Sequence, residues 1–139
     1  MSQPPILKLF SDFVSIQSVS ADSKRRNEIL KAVDFLSKEL KYLGFAVRLI
    51  RKGNSPPMIL GIYHLDNDRG IDGNVKTIGI YGHYDVQPED PVNEWKTPPF
   101  KLTVKNGKIY GRGVADNKGH VIQNLVSIKH LIETDVYGL

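Results

Sequence analysis

Residues 77–88 read Thr-Ile-Gly-Ile-Tyr-Gly-His-Tyr-Asp-Val-Gln-Pro, an apolar run that opens into a polar segment. Side chains two residues apart in an extended chain point to the same side, so we expect His83 and Asp85 to converge on one point. A metal-binding histidine commonly has a carboxylate beside it that orients its ring. The sequence therefore predicts a strand over residues 75–82 that ends at a candidate metal site.

A second carboxylate, Asp116, lies in the glycine-rich segment 110–119, Tyr-Gly-Arg-Gly-Val-Ala-Asp-Asn-Lys-Gly, which is typical of a turn that opens a helix. Taken singly, these residues have simpler interpretations: Asp116 as a helix N-cap, Asp85 as a turn residue and His83 as a hydrogen-bonded histidine at a strand end. The metal-site interpretation depends on their conjunction. Imidazole and carboxylate are standard zinc ligands, and one carboxylate has two oxygens with which to bridge two ions.

The composition is that of an ordinary soluble globular domain, with 40% hydrophobic and 24% charged residues in a chain of 139. The net charge is +4, and the only basic run is Lys24-Arg25-Arg26 at the front of a helix-like segment, which disfavours a nucleic-acid partner. The absence of cysteine excludes disulfides and thiolate metal sites. There is neither a signal-peptide pattern nor a run of the ~20 apolar residues that cross a membrane. We therefore predict a cytoplasmic protein with no membrane or nucleic-acid partner.

Hydrophobic periodicity predicts an α/β fold, a mixed sheet flanked by helices (α/β/α). Ser20 or Ser23 is expected to cap the second helix. The largely apolar residues 75–82 indicate a strand buried on both faces at the centre of the sheet. The predicted helices cover residues 6–17, 24–43 and 117–134, the predicted strands cover 45–50, 57–64 and 75–82, a hairpin pairs 100–104 with 108–110, and an exposed connection covers 66–74.

After a helix such as 117–134, an α/β fold normally returns to its sheet with a further strand. The remaining residues, 135–139, are too few for one, so we expect an incomplete domain. An incomplete domain should leave an apolar sheet edge and helix face exposed, which favours a homo-oligomer.

Four segments together resemble the di-zinc metallopeptidases: residues 82–88, 95–100, 107–113 and 116–119. That family includes carnosinases and cytosolic dipeptidases, acetylornithine deacetylase, succinyl-diaminopimelate desuccinylase, aminoacylase and glutamate carboxypeptidase. The first two segments are most similar to the dipeptidase branch. The resemblance covers nearly the whole chain. It implies that residues 1–139 are the N-terminal portion of a catalytic domain, without the lid and dimerisation domain and without the C-terminal half.

The resemblance implies a role for each candidate residue. His83 would bind one zinc ion, and Asp116, whose peptide bond to Asn117 is often cis in the family, would bridge two. Asp85, assigned to catalysis, would hold the His83 ring without touching metal. The cofactor would be two Zn²⁺ ions, with Co²⁺ or Mn²⁺ as alternatives. The reaction would be hydrolysis of an amide or peptide bond in a small peptide or an N-acyl amino acid by activated water.

The sequence departs from the family pattern after Asp116. The family supplies a Glu-Glu pair there, a general base followed by a zinc ligand, but the only later glutamate in this chain is Glu133, which is unpaired. We therefore predict that the chain alone binds zinc weakly and does not turn over substrate. One alternative is a non-catalytic remnant that acts as a binding or assembly partner. A metallophosphoesterase also places His and Asp at strand ends, but the surrounding motifs disfavour it.

The remaining candidates are weaker. His64 and His130 lack partners at ligand spacing, so we expect no site role for them. His120 is close to Asp116, but the family resemblance gives that position no role, so we expect it to be a residue at the start of the helix. Arg112 and Lys118 flank Asp116 and are expected to support the surrounding loop.

Overall fold

The computed structural model describes residues 5–64 and 77–134. Three α-helices and four short strands account for its regular structure in these ranges, together with two single-turn 3₁₀ helices at Ser23–Arg25 and Val92–Glu94. The elements in chain order are α1 (Pro5–Ser15), α2 (Arg26–Tyr42), β1 (Ala46–Ile50), β2 (Met58–Ile62), β3 (Thr103–Lys105), β4 (Lys108–Tyr110) and α3 (Lys118–Thr134).

The three predicted helices are confirmed, with ends that follow local chemistry. α1 starts at Pro5, a residue favoured in the first turn because its missing N–H has no helical partner there. The segment before α2 is capped by Asp22, which accepts from the Lys24 N–H at 2.9 Å, so the predicted Ser20 or Ser23 cap is wrong. Just past α2, Gly44 takes a φ of +89°, a left-handed conformation that suits glycine. In the described ranges, no helix is long and apolar enough to cross a membrane.

The core lies where the helices meet. Phe13 of α1 is fully buried and stacks on Phe35 of α2 with ring centroids 4.9 Å apart. Ile122 and Leu125 of α3 belong to the same buried cluster. The fold therefore buries most of the predicted apolar stripes, with Ile6, Leu30 and Leu131 as exposed exceptions.

The strands form two separate antiparallel pairs. β1 pairs with β2 from Ala46 opposite Ile62 to Ile50 opposite Met58. β3 pairs with β4 across Asn106 and Gly107, both of which have positive φ, as a tight two-residue hairpin turn requires. Both pairs lie within predicted strand regions, and the α/β class is confirmed. The described sheets are nevertheless two antiparallel ribbons rather than one mixed sheet.

The predicted central strand is not formed. Residues 77–82 adopt no strand and are exposed, with Tyr81 at 88% of full exposure, while residues 75 and 76 and the predicted connection 66–74 lie outside the described residues. An apolar run becomes a central strand only where other strands hydrogen-bond to it. Among the described residues, pairing beyond the two ribbons is limited to one parallel bridge between Val19 and Val86.

The outer face of the β1–β2 sheet is apolar and exposed. The inner face packs on α2, where a Cβ added to Gly61 would lie 3.3 Å from the Leu40 side chain. Alternation along the strands places five apolar residues and one arginine on the outer face. These six exposed residues are Ala46, Arg48, Ile50, Met58, Leu60 and Ile62.

We expect the chain to self-associate through this outer face, because removing such a patch from water is favourable. Leu60→Glu should shift the population toward monomer, because it places a charge in the apolar face. The new carboxylate would lie opposite Arg48, where the sheet tolerates it. Light scattering across a concentration series measures the effect. Ser55→Glu, which adds the same charge in the loop between the strands, should leave the association unchanged. A wild-type chain that stays monomeric throughout would contradict the prediction.

Candidate metal site

His83 lies between the two carboxylates that the sequence singles out. Its Nδ1 is 3.1 Å from Asp85 Oδ1, and its Nε2 is 3.0 Å from Asp116 Oδ1. Nδ1 is also 3.1 Å from the Asp85 carbonyl oxygen. The structure therefore brings together all three predicted site residues, although Asp116 lies 33 residues along the chain from His83. Their chemical roles stay predictions.

Asn117 joins the two segments that carry the site. Its Oδ1 accepts a hydrogen bond from the His83 backbone N–H at 3.2 Å. The close approach depends on Gly82, where an added Cβ would lie 2.9 Å from the Val121 side chain and 3.0 Å from Asn117 Oδ1. The peptide bond between Asp116 and Asn117 is cis, as the family resemblance implies.

Asp85 is held from the side opposite His83 by a residue that sequence reasoning missed. The Ser20 hydroxyl donates to Asp85 Oδ2 at 2.6 Å. The sequence predicts Ser20 as a possible helix cap. Because 65 residues separate Ser20 from Asp85, no local pattern could have indicated this contact.

Lys118 anchors the start of α3 to the end of α1. Its fully buried ammonium donates to the Phe13 carbonyl at 2.8 Å and to the Ile16 carbonyl at 2.5 Å, and it lies 4.8 Å from the centre of the Phe13 ring. Each carbonyl also accepts a backbone N–H, Phe13 from Ile16 at 3.3 Å and Ile16 from Ser18 at 2.9 Å, so Lys118 supplies a second donor to both. Burial lowers the pKa of Lys118 to about 7. The bonds from Lys118 go to the end of α1, so the expectation that Lys118 supports the loop around Asp116 stays a prediction, and the full burial of this side chain is not predicted by its charge.

Within the described part of the chain, the weaker candidates make no hydrogen bond to His83, Asp85 or Asp116, although His120 Nδ1 lies 3.4 Å from Asn117 Nδ2. Arg112 supports the loop as expected, since its backbone N–H donates to the Pro99 carbonyl at 2.6 Å and its guanidinium lies 5.0 Å from the Trp95 ring centre. His64, His120 and His130 are exposed.

The site is open to solvent and carries excess negative charge. The side chains of His83, Asp85 and Asp116 keep 37%, 41% and 82% of their full exposure. Partial burial acts to lower the pKa of His83, but the hydrogen bonds and charges of Asp116 and Asp85 outweigh it, so the pKa is raised above its usual value. A raised pKa shows that the surroundings of this imidazole favour a cation.

The donor atoms of these residues are of the types that bind a divalent metal ion. An imidazole nitrogen and a carboxylate oxygen that face each other are the donor types that zinc prefers, and Asp85 occupies the other ring nitrogen. Within residues 5–64 and 77–134, no group of three or more His, Cys, Asp or Glu is placed to hold a metal ion. The described chain thus provides two donors, whereas a catalytic zinc ion normally takes three from protein.

Comparison with known proteins shows what this chain is similar to. The model of "Peptidase family M20/M25/M40" matches residues 79–137, which contain the whole candidate site. The Cys-Gly metallodipeptidase of Candida albicans is 35% identical over 134 residues, covering 86% of this chain and 26% of the relative. Human Beta-Ala-His dipeptidase is 32% identical over 150 residues, covering 98% of this chain and 28% of the relative.

The solved structures agree. The crystal structure of human carnosine dipeptidase 1 matches with a TM-score of 0.81 and 30% identity, covering 94% of this chain and 28% of that chain. The chain is thus similar to members of peptidase family M20/M25/M40, and the similarity is to their N-terminal region. It spans between a quarter and a third of the length of these relatives. The predicted recognition is confirmed, including its dipeptidase branch.

Proposed function

We propose that this chain is the N-terminal portion of the catalytic domain of a metal-dependent hydrolase, one that cleaves an amide or peptide bond in a small peptide or an N-acyl amino acid. The observation that carries the proposal is the position of His83 between Asp85 and Asp116. The dipeptidase names of two relatives support the substrate class. A cytoplasmic location is part of the same proposal.

Each residue has a distinct task in this proposal. Asp85 would accept the Nδ1–H of His83 and so keep the Nε2 lone pair free for a metal ion. Asp116, with most of its carboxylate exposed, would be the second residue to hold the metal. A pair of zinc ions, when bound, polarises the scissile carbonyl and lowers the pKa of an attacking water.

Within the described part of the chain, no further carboxylate contacts the site where it could act as a general base. Glu133, the only glutamate after Asp116, lies in the last turn of α3, where it pairs with Lys129 at 3.6 Å. Among the described residues, the carboxylates that contact His83 are limited to Asp85 and Asp116. We therefore propose that the 139-residue chain binds zinc weakly and hydrolyses nothing by itself. A non-catalytic remnant with the same fold is the competing interpretation.

A chimera distinguishes the N-terminal portion of a hydrolase from a non-catalytic remnant. Residues 1–139 replace the matching region of the Candida albicans relative, and hydrolysis of Cys-Gly and β-Ala-His is followed with zinc present. We expect the isolated chain to be inactive and the chimera to hydrolyse a dipeptide, because the relative then supplies the residues that this chain lacks. A folded, zinc-loaded chimera that cleaves neither dipeptide would favour the remnant. Hydrolysis by the isolated chain would refute the proposal that it lacks a general base.

A further inference from the structure

We propose that Ser20 is a positioning residue for the metal site, acting on His83 through Asp85. The Ser20 hydroxyl donates to Asp85 Oδ2 at 2.6 Å, and the other oxygen of that carboxylate lies 3.1 Å from His83 Nδ1. The three groups form one continuous path from a loop hydroxyl to the imidazole. This inference rests on the proposed metal-binding role of His83.

Asp85 needs such a support because its carboxylate is 41% exposed. A half-exposed carboxylate can turn toward water, and its one bond to the imidazole, at 3.1 Å, is near the upper end of the usual range. The bond from Ser20 is short, as expected for a hydroxyl that donates to an ionised carboxylate. With Oδ2 fixed, Oδ1 stays directed at Nδ1. Without that restraint, Nδ1 of the imidazole keeps the Asp85 carbonyl oxygen at 3.1 Å but loses the charged partner that favours its protonation, so the choice of the nitrogen presented to a metal ion becomes weaker.

Ser20 can exert this restraint because the residues before it are firmly held. The neighbouring Ser18 is fully buried, and its hydroxyl donates to the Tyr84 carbonyl at 2.6 Å while its own carbonyl accepts from the Val86 N–H at 2.9 Å. Val19 forms the parallel bridge to Val86. Residues 18–20 thus run alongside residues 84–86, so Ser20 sits on fixed backbone, which a precise site requires.

The Lys118 anchor fixes the same segment to the second half of the site. Its ammonium donates to the Ile16 carbonyl, four residues before Ser20, and Lys118 itself is two residues after Asp116. Residues 16–20 are therefore bonded to the segments of both candidate ligands. A helix-cap role does not compete for the Ser20 hydroxyl, because Asp22 caps the following turn instead.

The experiment is a zinc titration of the 139-residue chain, followed through the ¹⁵N shifts of the His83 ring, which report both affinity and the nitrogen that binds. The wild-type chain should bind zinc through Nε2. Ser20→Ala should weaken zinc binding by ~10–100-fold, as for other partners of a ligand, and should let part of the zinc bind at Nδ1. Ser20→Thr keeps the hydroxyl and should restore both properties.

Ser15→Ala is the matched control, since the Ser15 hydroxyl also donates one short bond, to the Asp12 carbonyl at 2.7 Å, but not within the site. It should leave the titration unchanged. A Ser20→Ala chain with wild-type affinity and Nε2 selectivity would overturn the inference while leaving His83 as a ligand. If zinc leaves the His83 shifts of the wild-type chain unmoved, the proposed function fails at its ligand, and the role of Ser20 fails with it.

Discussion

Replacing His83 with alanine is expected to abolish site-specific zinc binding in the 139-residue chain and dipeptide hydrolysis in the chimera. His83 is the only nitrogen donor in the described site, and its Nε2 faces Asp116 at 3.0 Å. Removing a ligand deletes a metal bond outright, so the loss should exceed the ~10–100-fold that follows from removing a ligand's partner. Bound zinc is measured after gel filtration, and hydrolysis is measured by release of the free amino acid.

The pH dependence of the zinc affinity gives a second test of His83 as a ligand. Zinc must displace the proton on His83, whose pKa is raised in this site. The zinc affinity of the wild-type chain should therefore rise with pH until the pH passes that raised pKa, and this step should be absent from His83→Ala. His130→Ala is the control, because His130 is exposed on α3 and should leave both the affinity and its pH step intact. Wild-type zinc content in His83→Ala would rule out the ligand assignment.

Gly119→Ala should strongly destabilise the fold, although the residue lies in the first turn of a helix, where alanine is usually preferred. A Cβ on Gly119 would overlap the carbonyl oxygen of Val114, which is backbone and cannot rotate away. Alanine normally gains ~1 kcal/mol over glycine inside a helix, so helix propensity alone predicts the opposite sign. We expect a loss of ~3 kcal/mol or more in the free energy of unfolding, at the upper end for overpacking.

Urea denaturation of the two chains measures this difference, and Gly79→Ala is the matched control. A Cβ added to Gly79 meets no atom within 4 Å, so that variant should unfold within ~0.5 kcal/mol of wild type. The relief of the clash in Gly119→Ala must move residues 113–117, so its zinc affinity should also fall. Equal stability of the two variants would show that the α3 start is not packed as the structure has it.

Part of the candidate site could be predicted from the sequence. His83 and Asp85 are two residues apart, and in an extended segment this spacing puts the two side chains on the same side. Asp116 was predicted from its glycine-rich surroundings and from the family resemblance. The distance of 3.0 Å between it and His83 depends on Gly82 and Asn117, which let two distant segments approach. Ser20 could not be predicted, because a serine that precedes a helix has the same appearance whether it caps the helix or holds a remote carboxylate.

The sequence by itself determined the features that depend on neighbouring residues: the three helices, the turn at Asn106 and Gly107, and the end of α2 at Gly44. Backbone preferences and hydrophobic periodicity act over a few residues, so they can be read directly from the chain. Only the tertiary structure decided whether residues 77–82 form a strand, that Lys118 is buried, and which residues hold Asp85. Each of these depends on a partner far along the chain, because ladder hydrogen bonds and buried charges are stabilised only where that partner is present.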